Sequence, residues 1–483
     1  MSNILDKAFD PDNFRQQGHQ LIDMLADYLR EVQSDTEMKT IPWKDPEEQL
    51  AKWQADEKLG KGDVMQLFKM VMEDSIHIHH KKYIGHQVVA PAPVTALASL
   101  LSSLLNNGGA VYEMGEVSTA IERVVVQRMC QEIGWQQESG GFLTSGGTIA
   151  NLTALLAARR AKSAEDVWRQ GSDKKLALMV SEEAHYCVDR AARVMGWGDA
   201  GIIKIPADER LRMKTELMEE YLQKSNEADV KVIAVVGSAC TTSSGTYDDL
   251  EEIADFCRKH NLWYHVDGAH GGAAVFSPKY RSLVKGMEQA DSVVIDLHKM
   301  MLTPALTTAL LFKNEQDSYR TFAQQAQYLW NDQEEAEWFN MGKRTMECTK
   351  LMMGVKAYAL LKSYGTEIID EYVTRQYDLA KNFAETLEKR EDWELAMHPD
   401  TNIVCFRYRP KNFEEAETEH LNAFVRQQLL EYGEFYIVQT RLKNKFYLRT
   451  TLMNPFTTEK ELTTLLKRIE EVAARWKSTT LNY

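Results

Sequence analysis

Leu262-Trp263-Tyr264-His265-Val266-Asp267-Gly268-Ala269-His270 and Asp291-Ser292-Val293-Val294-Ile295-Asp296-Leu297-His298-Lys299 are the two stretches whose reading decides the fold. Each is a short run rich in β-branched or aromatic residues and bounded by polar or turn-forming ones, which is the pattern of a buried strand. The first run ends near a carboxylate, Asp267, and the second on an amine, Lys299. Ligands of open α/β sheets bind beyond the carboxyl ends of the strands. Taken singly, the aspartate also reads as a helix cap and the lysine as a solvated charge.

Outward from these runs, residues 91–315 alternate strand and helix. Leu176–Val180, Gly201–Ile205 and Val230–Val236 are short apolar runs, and helical patterns cover 148–162, 210–224 and 248–260. Such alternation predicts a largely parallel sheet covered by helices. Before it, 12–33 reads as an amphipathic helix and 46–81 as a second helical segment. After it, 345–390 reads as helical. Strands at 403–408, 435–439 and 446–449, with helices near 416–431 and 457–477, then form a small α+β domain. The expected organisation is an N-terminal helical segment (1–90), a large domain (91–370) and a small C-terminal domain (371–483). The N-terminal helices look too few for a core of their own and are expected to pack on another subunit or on the main domain.

Further chemistry stands at the other strand ends. Thr144-Ser145-Gly146-Gly147-Thr148 opens a helix, and free N–H groups at a helix start attract phosphate. The plainer reading is a capped loop. There is no G-K-[ST], so a nucleotide P-loop is not expected. His185, in Ser181-Glu182-Glu183-Ala184-His185, follows the strand 176–180, where its flat ring could lie over a cofactor ring; the plainer reading is a capped helix start with an exposed histidine. Ser238-Ala239-Cys240-Thr241-Thr242 offers hydroxyls for a phosphate, a ring hydroxyl or a substrate carboxylate, or makes an ST-turn. His298 directly precedes Lys299 and could be a phosphate or cofactor contact, though a core histidine is the usual default. His77, His79 and His80 have metal-like spacing but no arranged acidic or cysteine partners, so no metal is expected.

An amine to condense with an aldehyde, and a carboxylate to keep a ring nitrogen protonated, suit pyridoxal 5'-phosphate (PLP). Phosphate loop, histidine, threonine pair, aspartate and histidine–lysine occur in one order along the chain. Together they resemble the PLP-dependent group II amino-acid decarboxylases, the family of glutamate, cysteine-sulfinate, diaminobutyrate and aromatic-amino-acid decarboxylases. The resemblance runs from Phe14-Arg15-Gln16-Gln17-Gly18-His19 to Leu448-Arg449-Thr450-Thr451-Leu452-Met453-Asn454-Pro455. It implies the fold-type I, aspartate-aminotransferase-like architecture and a homodimer with sites at its interface. It assigns Lys299 to covalent attachment of the cofactor and Asp267 to the ring nitrogen. His185 would stack on the ring, Ser145, Gly146, Gly147 and His298 would help hold the phosphate, and Thr242 and Ala269 would contact ring or substrate. His80–Gln87 resembles the family's substrate-side segment, which brings in Tyr83 and His86; Tyr112 and Arg344 are further substrate candidates. Tyr112-Glu113 through Glu122 looks nearer the glutamate and cysteine-sulfinate branch.

The sequence departs from the family pattern in places. Lys81 stands where proline is usual, Cys240 for a glycine and Gly268 for an alanine. The mobile loop before Gly342-Lys343-Arg344, here 331–341, looks shortened and holds no tyrosine, the family's usual proton donor; Trp338 and Phe339 cannot replace a phenol. His298, Tyr83 and Lys299 are the remaining candidates. The expected activity is α-decarboxylation of an L-amino acid to a primary amine and CO₂. The alternatives are decarboxylation coupled to oxidative deamination, giving an aldehyde, and a catalytically silent dimeric scaffold.

Composition bounds the rest. A chain of 483 residues, 44% hydrophobic and 27% charged, is ordinary globular material. A net charge of −14 argues against nucleic acid and anionic membrane surfaces. The longest apolar stretch, Ala96–Leu105, is broken by Ser99, Ser102 and Ser103. Six scattered cysteines without a C-x-x-C pair, and no export signal, point to the cytoplasm.

Overall fold

The computed structural model describes residues 3–34, 37–56, 60, 62–163, 166–172, 174–322 and 337–480. The chain divides into two compact units. One comprises Met1–His86, Asn382–Ala396 and Cys405–Tyr483; the other comprises Gln87–Lys381 and Met397–Val404.

The first unit begins with α1 (Ile4–Ala8), α2 (Pro11–Gln33), α3 (Pro46–Gln54) and α4 (Val64–Asp74). Asp10 starts α2 by accepting the Asp12 and Asn13 N–H groups, with Pro11 at the first helical position. The helix expected over 46–81 is thus two shorter ones. Ser75 is extended and ends α4. Beyond it, the His77 N–H turns to the Thr40 carbonyl at 2.9 Å, and the His80 N–H to the His77 carbonyl at 2.9 Å.

The second unit carries α5 (Pro93–Leu105), α6 (Glu116–Ile133), β1 (Gly140–Thr144), α7 (Gly147–Lys162), α8 (Val167–Gln170), β2 (Lys175–Ser181), α9 (Tyr186–Val194), β3 (Ile202–Ile205), α10 (Met218–Glu227) and β4 (Val230–Ser238). It continues with α11 (Leu250–His260), β5 (Trp263–Asp267), β6 (Ser292–Asp296), β7 (Thr308–Phe312), α12 (Gln316–Thr321) and α13 (Met353–Tyr364); α14 (Glu367–Glu388) belongs to it as far as Lys381 and to the first unit from Asn382. The helix expected from 210 starts only at Met218. The Asp208 carboxylate accepts the backbone N–H groups of Arg210 and Arg212 at 2.8 and 2.9 Å, and this local turn competes with helix.

Among the described residues these strands form a seven-stranded sheet in the order β1-β7-β6-β5-β4-β2-β3. Strands β3, β2, β4, β5 and β6 run parallel, and β7 is antiparallel to both β6 and β1. Because β7 reverses between them, β1 points the same way as β6. The carboxyl ends of β1, β2, β4, β5 and β6 therefore share one edge of the sheet. Central strands buried on both faces need continuous apolar runs, and β4 supplies Val232 to Val236. Small residues of α7 (Ala150, Ala154, Ala158) let that helix lie close against Val180, Val236 and Val294.

The first unit resumes with β8 (Trp393–Leu395), β9 (Ile403–Tyr408), α15 (Glu415–Tyr432), β10 (Val438–Leu442), β11 (Lys445–Thr451) and α16 (Glu459–Thr480), its sheet ordered β10-β11-β9-β8. The β10–β11 hairpin turns on Lys443 and Asn444, both left-handed at φ 50° and 65°, as a tight two-residue hairpin requires. Among the described residues no helix is long and apolar enough to cross a membrane.

Candidate active site

The shared sheet edge opens into a cavity of about 400 Å³. Ser145, Gly146, Gly147, His185, Thr242, Asp267, Ala269, His298 and Lys299 all line it. They come from the ends of five strands (β1, β2, β4, β5 and β6) or the turns after them, which is why residues far apart in sequence meet.

Lys299 sits in the turn after β6, not on the strand itself. The turn folds its amine back to 2.9 Å from the Asp296 carboxylate, which ends the strand and is buried. Asp296 also accepts the Thr308 hydroxyl at 2.5 Å. Burial would push the Asp296 carboxyl up, but Lys299, His298 and the Thr308 bond outweigh it and hold it below the usual carboxylate range. Burial likewise opposes the Lys299 ammonium, yet Asp296, with help from Asp267, raises the amine above the ordinary lysine value. His298 Nδ1 lies 2.9 Å from the Thr307 carbonyl, and its Nε2 is 3.8 Å from Asp296.

Asp267 closes β5. Its carboxylate accepts the Ala269 N–H at 3.2 Å and touches the Cys187 thiol at 3.9 Å. Among the described residues these two contacts leave the carboxylate with acceptor capacity that faces the cavity. His185 caps α9, its Nδ1 accepting the Cys187 N–H at 3.3 Å, so the neutral ring carries its proton on Nε2. Burial pulls its pKa down, only partly countered by Asp267. Gly146 stands at φ +143°, a conformation that favours glycine, and α7 starts at the next residue.

The family profile described as pyridoxal-dependent decarboxylase conserved domain matches residues 47–409. The chain belongs to this family. Among curated relatives, an aromatic-L-amino-acid decarboxylase of Bacillus atrophaeus is 26% identical, over 96% of each chain. A human acidic amino acid decarboxylase is 29% identical, over 80% of this chain and 75% of its own. The crystal structure of mouse CSAD shares the fold, with a TM-score of 0.89 and 24% identity, over 96% of this chain and 99% of that one. The architecture is fold-type I, and the protein is a PLP-dependent decarboxylase that converts an amino acid to an amine and CO₂.

The cavity of this decarboxylase fits PLP on its own chemistry. It pairs an amine with an incompletely bonded carboxylate. A Cβ on Gly147 would press on the Asp296 carboxylate at 3.2 Å, tighter than an ordinary contact, and glycine leaves the backbone at the start of α7 bare.

The other sequence candidates lie elsewhere. Arg344 is fully buried behind β1, outside the cavity lining. Its guanidinium bonds Glu315 at 2.5 Å and the Gly141 carbonyl at 3.0 Å and lies over the Phe142 and Tyr319 rings. Tyr112 is exposed, edge-on to Phe339 at 5.5 Å, and does not line the cavity. Tyr83 and His86 belong to the other unit, where both rings pack on Tyr436. In the same unit, His77 bonds the Tyr28 hydroxyl and His80 the Thr40 hydroxyl. The first part of the loop read as shortened, 331–336, lies outside the described residues; Trp338 packs on Phe339.

Sequence reasoning passed over Asp296, Asn151, Cys187 and His270, all of which line the cavity. Asp296 was hidden inside an apolar strand run, and only the turn after it reveals its partner. Asn151 lies on the buried face of a helix, where polar residues give no periodic signal.

Proposed function

We propose that this decarboxylase holds PLP covalently through Lys299 Nζ. In this assignment Asp267 faces the pyridine nitrogen and His185 the ring. The phosphate lies at the start of α7 with Ser145, Gly146, Gly147 and His298, and Thr242 and Ala269 complete the wall. The convergence of one amine, one incompletely bonded carboxylate and one helix start on a single cavity of about 400 Å³ is the observation that supports this assignment. When bound, the cofactor supplies an aldehyde to capture the substrate amine and a ring to accept the electron pair left by departing CO₂.

The chain's own residues do the rest. Asp267 stabilises positive charge at the ring nitrogen through a charge-assisted hydrogen bond. Asp296 orients Lys299 Nζ. Once CO₂ has left, Cα needs a proton; of the candidates Lys299, His298 and Tyr83, the first two line the cavity and are the proposed carriers. The substrate is a free L-amino acid.

The active unit is a homodimer. Support comes from α5, where Leu97, Leu100, Leu101, Leu104 and Leu105 form one exposed apolar stripe, an arrangement that water disfavours. The compartment is the cytoplasm, in keeping with six free cysteines, five of them buried. Purified protein assayed for CO₂ release from acidic, aromatic and diamino acids, with products identified by mass, tests the activity. Release from none of them by PLP-loaded protein would overturn it.

A further inference from the structure

Behind the cavity runs a chain of hydrogen bonds that crosses β6, β5 and α7. The Trp263 indole N–H donates to Ser292 Oγ at 2.9 Å. Ser292 Oγ lies 2.8 Å from His265 Nδ1, and His265 Nε2 lies 2.8 Å from Asn151 Oδ1. The Asn151 amide donates to the Gly147 carbonyl at 2.9 Å. All four side chains are at most 2% exposed.

The two ends of this chain fix its direction. An indole N–H only donates and a carbonyl only accepts. Asn151 must therefore turn its NH₂ to Gly147 and its oxygen to His265. His265 must then carry its proton on Nε2, which leaves Nδ1 to accept the Ser292 hydroxyl. Every donor meets an acceptor only in this one tautomer. Burial lowers the His265 pKa to about 4, so the ring stays neutral through the physiological range.

The last bond holds the plane of the Gly147–Thr148 peptide. In a trans peptide the N–H points opposite to the C=O. Anchoring the Gly147 carbonyl therefore aims the Thr148 N–H, at the first turn of α7, where helix N–H groups await an acceptor. Thr148 lines the cavity.

We infer that His265 is a positioning residue for the phosphate-binding loop. Through Asn151 it fixes the Gly147–Thr148 peptide, and so sets the site's preference for a phosphorylated ligand over the same ligand without phosphate. The inference rests on the assignment of the α7 start to the cofactor's phosphate.

The test compares PLP with pyridoxal, which lacks only the phosphate, on cofactor-stripped full-length protein, with inorganic phosphate as competitor. His265→Phe removes both ring hydrogen bonds. It should weaken PLP by about tenfold, the worth of roughly one well-made bond, and leave pyridoxal within about twofold. Inorganic phosphate should compete less well against it than against wild type. His265→Gln, whose amide can donate to Asn151, should recover part of the loss. Equal weakening of PLP and pyridoxal, no change in either, or no recovery with glutamine would each overturn the inference. Should His265→Phe not fold, Ser292→Ala removes the donor to Nδ1 together with the acceptor of the Trp263 indole, leaves the His265–Asn151 bond, and is judged on the same PLP-to-pyridoxal ratio. A wild-type protein with no preference for PLP over pyridoxal would instead refute the phosphate assignment itself.

Discussion

The Lys299 ammonium lies 2.9 Å from Asp296, a buried carboxylate three residues earlier in the chain. The pair stabilises the folded chain over a definite pH window. The lysine share is full below the ordinary lysine range near 10 and fades as pH rises through its higher folded value. The aspartate share is full above about 4 and is lost as pH falls through its lower folded value. Only the free amine can condense with an aldehyde. PLP uptake by the stripped protein should therefore speed up with rising pH, and Asp296→Asn should move that profile to lower pH. Stopped-flow absorbance reads it directly, and an unshifted profile would remove Asp296 from control of the amine.

Lys299→Ala should abolish turnover and the visible absorbance of bound cofactor. Borohydride reduction of the wild type, followed by peptide mapping, should place the pyridoxyl label on Lys299. A label on another lysine rejects the assignment.

Asp267→Asn should fold normally, since among the described residues the carboxylate holds just the Ala269 N–H and the Cys187 thiol. Turnover should fall by roughly ten- to a hundredfold, the worth of a charged hydrogen bond. Turnover near the wild-type level would give the carboxylate another role.

Product and oxygen uptake should be followed together. With Lys299 and His298 both lining the cavity, a proton reaches Cα and the product is the amine, with no oxygen consumed. Stoichiometric oxygen uptake with aldehyde formation would show that the loop without a tyrosine leaves Cα unprotected.

The wild type should sediment as a dimer. Leu101→Glu with Leu104→Glu, which places charge on the exposed α5 stripe, should yield monomers with weakened PLP retention. A fully active monomer, in either protein, would contradict the dimeric site.

Much of this was legible in the sequence because strands buried on both faces write their identity as apolar runs, and β2, β4, β5 and β6 all did. What failed to show was short or locally overridden. Strand β7, Thr308-Ala309-Leu310-Leu311-Phe312, is an apolar run too brief to separate from a buried helical turn. The Asp208 turn suppresses helix by side-chain bonds that no periodicity reports. The residues proposed to hold the cofactor stand out by their order along the chain. The groups that orient them, Asp296 and His265 with Asn151, act through contacts that exist only once the turn and the helix are folded.

Strand β1 sits at the sheet edge and its whole length pairs with β7, from Gly140 opposite Phe312 to Thr144 opposite Thr308. A chain emerging from the ribosome thus makes β1 long before its partner exists. The loop that follows β1 cannot take its final place until β7 has been synthesised and inserted, by which time Lys299 is already out. Lys299 is thus made first and the loop settles last, so that closing this end of the sheet is a late step in the folding of the unit.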